Sequence, residues 1–75
     1  MEMPIVVGRN IRFIRESKGY SQEAFAKKAG FQRTYIGAVE RGEVNLTLSN
    51  LCGIAKELGV HPAILLIDDA FNRTF

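Results

Sequence analysis

Residues 21–42 read SQEAFAKKAGFQRTYIGAVERG, and this stretch decides the fold of the 75-residue chain. Ser21 is a favourable N-cap for one short helix. Gly30 can adopt the left-handed conformation that a sharp turn between two helices demands. A second short helix follows over residues 33–41 and stops at the next glycine. A small side chain at Ala26 lets the two helices approach closely, so the stretch predicts a helix-turn-helix unit.

Helical patterns continue on both sides of this unit. A first helix is expected over about residues 7–18, so that the unit itself supplies helices 2 and 3. A fourth helix runs from the N-cap Thr47 to Gly59, and a fifth begins at Pro62, a preferred first-turn residue. No stretch alternates in the way of a strand. The sequence therefore predicts a compact all-α fold of five helices.

The length of the chain indicates a single domain over residues 1–75. Its core is expected over residues 7–67, and residues 68–75 form a tail or an extension of the fifth helix. The single cysteine, Cys52, excludes an internal disulfide and a cysteine-based zinc site, and it is expected at or near the core. One cysteine, no long apolar run and no secretory signal indicate a cytoplasmic protein without a membrane segment.

Charge is distributed unevenly along the chain. Residues 1–42 hold eight bases and four acids, whereas residues 43–75 hold two bases and four acids. The first half therefore suits a polyanion, and the second does not.

Once the apolar positions of the unit's second helix are assigned to the core, its remaining residues form an outward face that is small, polar and basic. The outward residues are Gln32, Arg33, Thr34, Gly37, Ala38 and Arg41. Arginine can pair bidentately with guanine, threonine can hydrogen bond or touch a thymine methyl, and alanine offers a methyl contact. These side chains suit the major groove of DNA.

Residues 8–66 resemble the helix-turn-helix domain of Cro/C1-type (XRE, lambda-repressor-like) transcriptional regulators. The resemblance is carried by these residues: Ser21-Gln22-Glu23, Phe25-Ala26, Gly30, Tyr35-Ile36, Val39-Glu40-Arg41-Gly42, Ile54-Ala55 and Leu58-Gly59-Val60. Within that family, Arg33-Thr34-Tyr35-Ile36 and Asn45-Leu46-Thr47-Leu48 are similar to restriction–modification controller proteins.

The resemblance implies a role for each matching position. Base edges would be contacted by Arg33, Thr34 and Ala38. The DNA backbone would be contacted by Gln22, Gln32, Tyr35, Asn45, Thr47 and Asn50. Backbone contacts fix the register of a protein on the duplex, and base contacts supply its sequence preference.

The family also implies a structural ion pair between Arg15 and Glu40. This pair would fix helix 3, the recognition helix, against helix 1. This chain departs from the usual pattern at Leu46, where many members have proline, and at Gly37, inside the recognition helix. Glu43 stands in a loop where some controllers carry a base.

Apolar residues near the C-terminus exceed what so small a core can absorb. They are Ile64, Leu66, Ile67 and Phe71. Exposed apolar clusters on small domains usually mark an interface. The family implies a twofold homodimer through helices 4 and 5, and the alternative is that this patch binds a different protein.

The function expected from these observations is that of a sequence-specific regulator, a repressor or an activator, which binds double-stranded DNA as a homodimer on a palindromic operator. No catalytic constellation, cofactor, metal or small-molecule substrate is expected. One alternative is an antitoxin-type autorepressor that also binds a toxin. Another is a protein-interaction module that keeps the fold but has lost affinity for DNA.

Overall fold

The computed structural model describes residues 2–68. These residues form, in chain order, α1 Met3–Ser17, α2 Gln22–Ala29, α3 Arg33–Glu40, α4 Leu48–Leu58 and a 3-10 helix Pro62–Leu66. The all-α prediction is confirmed for the described residues, which contain no strand. The fifth element, however, is a short 3-10 helix and not an α-helix. None of the described helices has both the length and the apolar content needed to cross a membrane.

The helix ends follow from capping residues that the sequence already indicated. Ser21 Oγ accepts a hydrogen bond from Ala24 N at 3.0 Å, and Thr47 Oγ1 accepts one from Asn50 N at 3.1 Å. These bonds satisfy backbone donors that a helix leaves unpaired in its first turn. Gly59 closes α4 with a φ of 75°, a conformation that glycine adopts at little cost.

Helix α1 begins at Met3, four residues before the predicted start at position 7. Pro4 lies in its first turn, where the fixed φ of proline suits a helix and its missing N–H costs no hydrogen bond. The additional turn brings Val6 into the core, where it is 1% exposed. Tertiary burial therefore supports a turn that short-range periodicity did not reveal.

The core lies where the five elements meet. Helix α1 packs on α3, α4 and the 3-10 helix, and α2 packs on α3 and α4. The largest fully buried side chains are Val6, Ile11, Phe25, Ile36, Val39, Ile54, Leu58 and Leu65. Each buried side chain of this kind contributes about 1.5–3 kcal/mol to folding, so α3 is held firmly although it has only eight residues.

Asn10 of α1 satisfies carbonyl groups at the end of the 3-10 helix. Asn10 Nδ2 donates to the carbonyl oxygens of Leu65 and Ile67, each at 3.0 Å. Asn10 is 3% exposed and Leu65 is fully buried. With these two carbonyls engaged by a buried amide, Ile67 takes an extended conformation and the helix ends.

Two side chains of α4 lie outside the core, and for Cys52 this is contrary to the prediction. Leu48 is 78% exposed, and Cys52 is exposed as well. They stand one turn apart on the same side of the helix, rotated away from the buried side that carries Leu51, Ile54, Ala55 and Leu58. The buried side fills the space against α1 and α2, which leaves no room for a wider apolar stripe.

Candidate nucleic-acid interface

The turn between α2 and α3 is built on Gly30. This residue has a φ of 81°, and a Cβ placed on it would meet nothing within 4 Å, so the requirement for glycine is conformational and not steric. Phe31 N donates to Ala26 O at 2.8 Å and closes the end of α2. The Phe31 ring then stacks on Tyr35, with ring centroids 5.2 Å apart, and this contact fixes the first turn of α3.

Helix α3 has one side in the core and one side in solvent. Ile36 and Val39 are 0% and 1% exposed and anchor it to α1 and α2. The exposed residues at its start are Gln32, Arg33 and Thr34, and Ala38 is half-buried. The structure thus exposes two of the three predicted base-contacting residues, Arg33 and Thr34, at the start of the helix, whereas Ala38 lies further along it.

Gly37 does not lie on the outward face as predicted, because it is buried. A Cβ on Gly37 would stand 3.2 Å from Arg41 Nη1 and 3.6 Å from Gln22 Oε1. These two long side chains therefore close over the glycine. Helical periodicity alone could not reveal this cover, because Gln22 comes from a different helix.

Arg15 and Glu40 lie together, as the family resemblance implies. Arg15 Nε donates to Glu40 Oε2 at 2.6 Å, and Arg15 Nη2 donates to Glu40 Oε1 at 3.0 Å. The side chains are 7% and 2% exposed. The third nitrogen, Arg15 Nη1, donates to Tyr20 O at 2.6 Å. The hydrogen bond with Glu40 raises the pKa of Arg15, although burial acts in the opposite direction. The pair ties the end of α3 to α1.

Gln22 joins this network, which the sequence did not predict. Gln22 Nε2 donates to Glu40 Oε1 at 3.0 Å, across the gap between α2 and α3. An amide nitrogen has two N–H groups. One of them is held by Glu40, and this bond orients the side chain at the first residue of α2.

A shallow concavity of about 670 Å³ lies between the start of α2 and the start of α3. Its lining includes Ser21, Gln22, Lys27 and Arg33, together with one acid, Glu23. The first backbone N–H groups of α2 also lie at this end. Lys27 and Arg33, together with the oriented Gln22 amide and the helix N-terminus, suit a phosphate group. The third base of the lining, Arg15, is paired with Glu40.

Three of the other residues predicted to contact the DNA backbone, Asn45, Thr47 and Asn50, lie at the start of α4 or in the loop before it. Asn50 Nδ2 donates to the Tyr35 hydroxyl at 3.0 Å, so α3 and α4 are linked at this point. The Thr47 hydroxyl accepts the capping bond described above, and Asn45 is exposed in the preceding loop. The hydroxyl groups of Tyr35 and Thr47 each keep their own hydrogen, which can be donated to a further acceptor.

The predicted interface residues near the C-terminus differ in exposure. Leu66 and Ile67 are 41% and 46% exposed, whereas Ile64 is half-buried against the core. Phe71 lies outside the described residues. Leu66 also lines an apolar groove of about 200 Å³ with the exposed side chains of Met3 and Leu48. The exposed apolar surface is therefore broader than the sequence indicated.

Comparison with known proteins identifies the arrangement. A family profile described as helix-turn-helix matches residues 11–65. A hypothetical transcription factor from Neisseria meningitidis is 42% identical over 66 residues, which are 88% of this chain. The chain spans 62% of the length of that relative.

Two solved structures are similar in fold and sequence. The restriction–modification controller protein C.AhdI from Aeromonas hydrophila superposes with a TM-score of 0.79 at 39% identity, over 83% of this chain and 94% of the other. The master regulator for biofilm formation SinR, solved in complex with DNA, superposes with a TM-score of 0.77 at 32% identity. That match covers 81% of this chain and 98% of the SinR chain in that structure.

Proposed function

This chain belongs to the Cro/C1-type helix-turn-helix family of transcriptional regulators, and from that membership we propose that it binds duplex DNA in a sequence-specific manner. One observation carries the proposal: Arg33 and Thr34 are exposed at the start of a helix whose opposite side is buried. A protruding helix of this kind fits the major groove with its first residues at the base edges.

The assignment of base contacts follows from side-chain chemistry. The Arg33 guanidinium can donate two parallel hydrogen bonds to a guanine, and Thr34 can reach the neighbouring base. Ala38, one turn further along α3, offers only its methyl group. Arg33 and Thr34 therefore supply most of the sequence preference.

Backbone contacts are assigned to the residues on either side of α3. Gln22 has one N–H held by Glu40 and a second that remains for a phosphate oxygen. On the other side, Tyr35 and Thr47 each retain a hydroxyl hydrogen, and Asn45 is exposed beside them. Gln32 is exposed before the first turn of α3 and completes the set. These contacts grip the strands that flank the bases read by α3.

The overall proposal is tested by selecting bound sequences from a random pool of DNA duplexes and then titrating salt. We expect an enriched, roughly palindromic site. We also expect log affinity to fall against log salt with a slope of about −0.9 for each phosphate neutralised. A chain that binds no duplex even at low ionic strength is a protein-interaction module of the same fold, and the proposal is then wrong.

Substitution of Arg33 by alanine is expected to relax the preference at one base pair of each half-site. The loss at that position is about 1–3 kcal/mol, because a bidentate contact to guanine disappears. Competition binding with operators mutated one position at a time measures it. Lys56→Ala, on the exposed side of α4, is the matched control and leaves the preference unchanged. A uniform loss of affinity over all operators would instead show that Arg33 contacts the DNA backbone and not a base.

We further propose that the protein acts as a homodimer. The half-site spacing of a palindromic operator requires two recognition helices about 34 Å apart, one turn of B-DNA. Leu66 and Ile67 are exposed next to the groove formed with Met3 and Leu48, so a second copy would cover a continuous apolar surface.

Ile67→Asp is expected to shift the protein toward the monomer in sedimentation equilibrium. A carboxylate cannot be buried at an apolar interface without a large cost in desolvation. The control is Ile5→Asp. Ile5 is a similarly exposed apolar residue in the first turn of α1. If Ile67→Asp leaves the sedimentation profile unchanged, the interface lies elsewhere.

Within the family, a restriction–modification controller is the specific role proposed, because C.AhdI is such a protein and aligns over most of this chain. Residues 1–75 would then act as one lambda-repressor-like domain in the cytoplasm, without catalytic activity. Neighbouring genes decide between this role and the antitoxin alternative. A methyltransferase or endonuclease gene supports the controller, and a small toxin gene contradicts it.

A further inference from the structure

Arg41 and Glu43 form a two-point ion pair at the end of the recognition helix. Arg41 Nε donates to Glu43 Oε2 at 3.1 Å, and Arg41 Nη2 donates to Glu43 Oε1 at 3.2 Å. The chain turns between them at Gly42, which has a φ of 76°, and this turn brings the two side chains together. Their side chains are 60% and 58% exposed, so the pair lies in water.

The remaining nitrogen of Arg41 lies over the recognition helix. Arg41 Nη1 is 3.2 Å from the point where a Cβ on Gly37 would stand, and Gln22 Oε1 is 3.6 Å from the same point. The guanidinium therefore lies back along α3 toward Gln22, in the space that the missing side chain leaves. This placement gives a physical reason for a glycine inside an eight-residue helix.

We propose that Arg41 is a second phosphate-binding side chain beside Gln22, and that Glu43 competes with DNA for it. The inference rests on the proposed function, because it assumes that Gln22 faces a phosphate. An arginine fork binds phosphate as readily as carboxylate. Since an exposed ion pair is weak, DNA can displace Glu43 from Arg41. Binding to DNA must break the Arg41–Glu43 pair, and the free energy of that pair is then lost, so Glu43 lowers the affinity of the protein for DNA.

A second ion pair of the molecule provides an internal comparison. Arg12 Nε lies 3.4 Å from Glu16 Oε2, and the side chains are 63% and 53% exposed. The exposure matches that of the Arg41–Glu43 pair, but both residues of this pair lie on α1 and not at the end of α3. Glu16 also lies 3.8 Å from Arg15 Nη2, but Arg15 keeps its two hydrogen bonds to Glu40 when Glu16 is replaced. Glu16→Gln thus removes the same charge without freeing a base beside the recognition helix.

The test is a double-mutant cycle on the intact chain, with the duplex selected by the wild-type protein as the probe. Glu43→Gln is expected to tighten binding about two- to fivefold, the range set by the strength of an exposed ion pair. Arg41→Ala is expected to weaken binding and to reduce the salt slope by about 0.9. When Arg41 is already alanine, Glu43→Gln should change the affinity no more than Glu16→Gln does. All of these side chains are exposed, and circular dichroism verifies that each variant folds.

The outcomes separate the two proposals. If the wild-type protein binds with a steep salt response but the effects of Glu43→Gln and Arg41→Ala are additive, the competition by Glu43 is wrong and the proposed function stands. A Glu43→Gln variant that binds no tighter than Glu16→Gln contradicts the inference in the same way. If the wild-type protein binds no duplex at low salt, both proposals are wrong.

Discussion

Gly8→Ala is expected to destabilise the domain by about 3 kcal/mol, near the upper end of the usual cost of overpacking. Gly8 is buried where α1 crosses the end of α3. A Cβ at this position would collide with Val39 O and would lie 2.9 Å from Glu40 O. Both atoms are backbone, so neither can move aside without shifting the last turn of α3.

Thermal and urea unfolding followed by circular dichroism measure this effect. For a domain of this size, a loss of about 3 kcal/mol lowers Tm by more than about 10 °C. Gly53→Ala is the matched control, because Gly53 is also helical but a Cβ there meets nothing within 4 Å. That variant should gain up to about 1 kcal/mol from helix propensity. Equal stability of the two variants would show that α1 and α3 are not in close contact at this crossing.

Glu40→Gln is expected to cost about 3–5 kcal/mol, because it removes the carboxylate hydrogen-bonded to the buried Arg15 and leaves this charge only the exposed Glu16, 3.8 Å away. Glu40 accepts bonds from Arg15 and Gln22, and its side chain is 2% exposed. The loss should appear in urea unfolding at neutral pH. Because the pKa of Arg15 is raised, this base stays charged at neutral and alkaline pH, and the loss persists as the pH rises.

Glu16→Gln provides the comparison for a carboxylate in an exposed pair. It should cost less than about 0.5 kcal/mol, since exposed pairs on a helix are weak. Replacing both Arg15 and Glu40 by methionine should recover much of the loss, because no unpaired charge is then buried. If Glu40→Gln costs no more than Glu16→Gln, the buried pair does not hold α3 in place.

Both substitutions act on the same joint, and this links stability to DNA recognition. Gly8 contacts the backbone at the end of α3, and Arg15 binds the side chain of Glu40 from the same helix α1. Glu40 in turn holds Gln22 at the start of α2. The Glu40 carboxylate therefore sets the distance between α3, the proposed base-reading helix, and Gln22, the proposed phosphate-binding residue. Weakening this joint is expected to reduce affinity for DNA as well as stability.

Most of the fold could be predicted from the sequence because its signals are local. Ser21, Gly30, Thr47 and Gly59 act within one helical turn of their own positions, and each caps or turns the chain in the structure as expected. The earlier start of α1 and the short 3-10 helix could not be predicted in this way. The first depends on burial of Val6, and the second depends on bonds from α1 to carbonyl groups more than fifty residues away.

By itself, the sequence determined the helix-turn-helix, the helices around it and the side chains at the exposed start of α3, since capping, turns and amphipathic periodicity are properties of neighbouring residues. Only the tertiary structure decided which side chains meet between helices. It buried Gly37 beneath Gln22 and Arg41, placed Leu48 in solvent and joined Gln22 to Glu40. These contacts bring together residues from different elements, and their geometry depends on how the helices pack around one core.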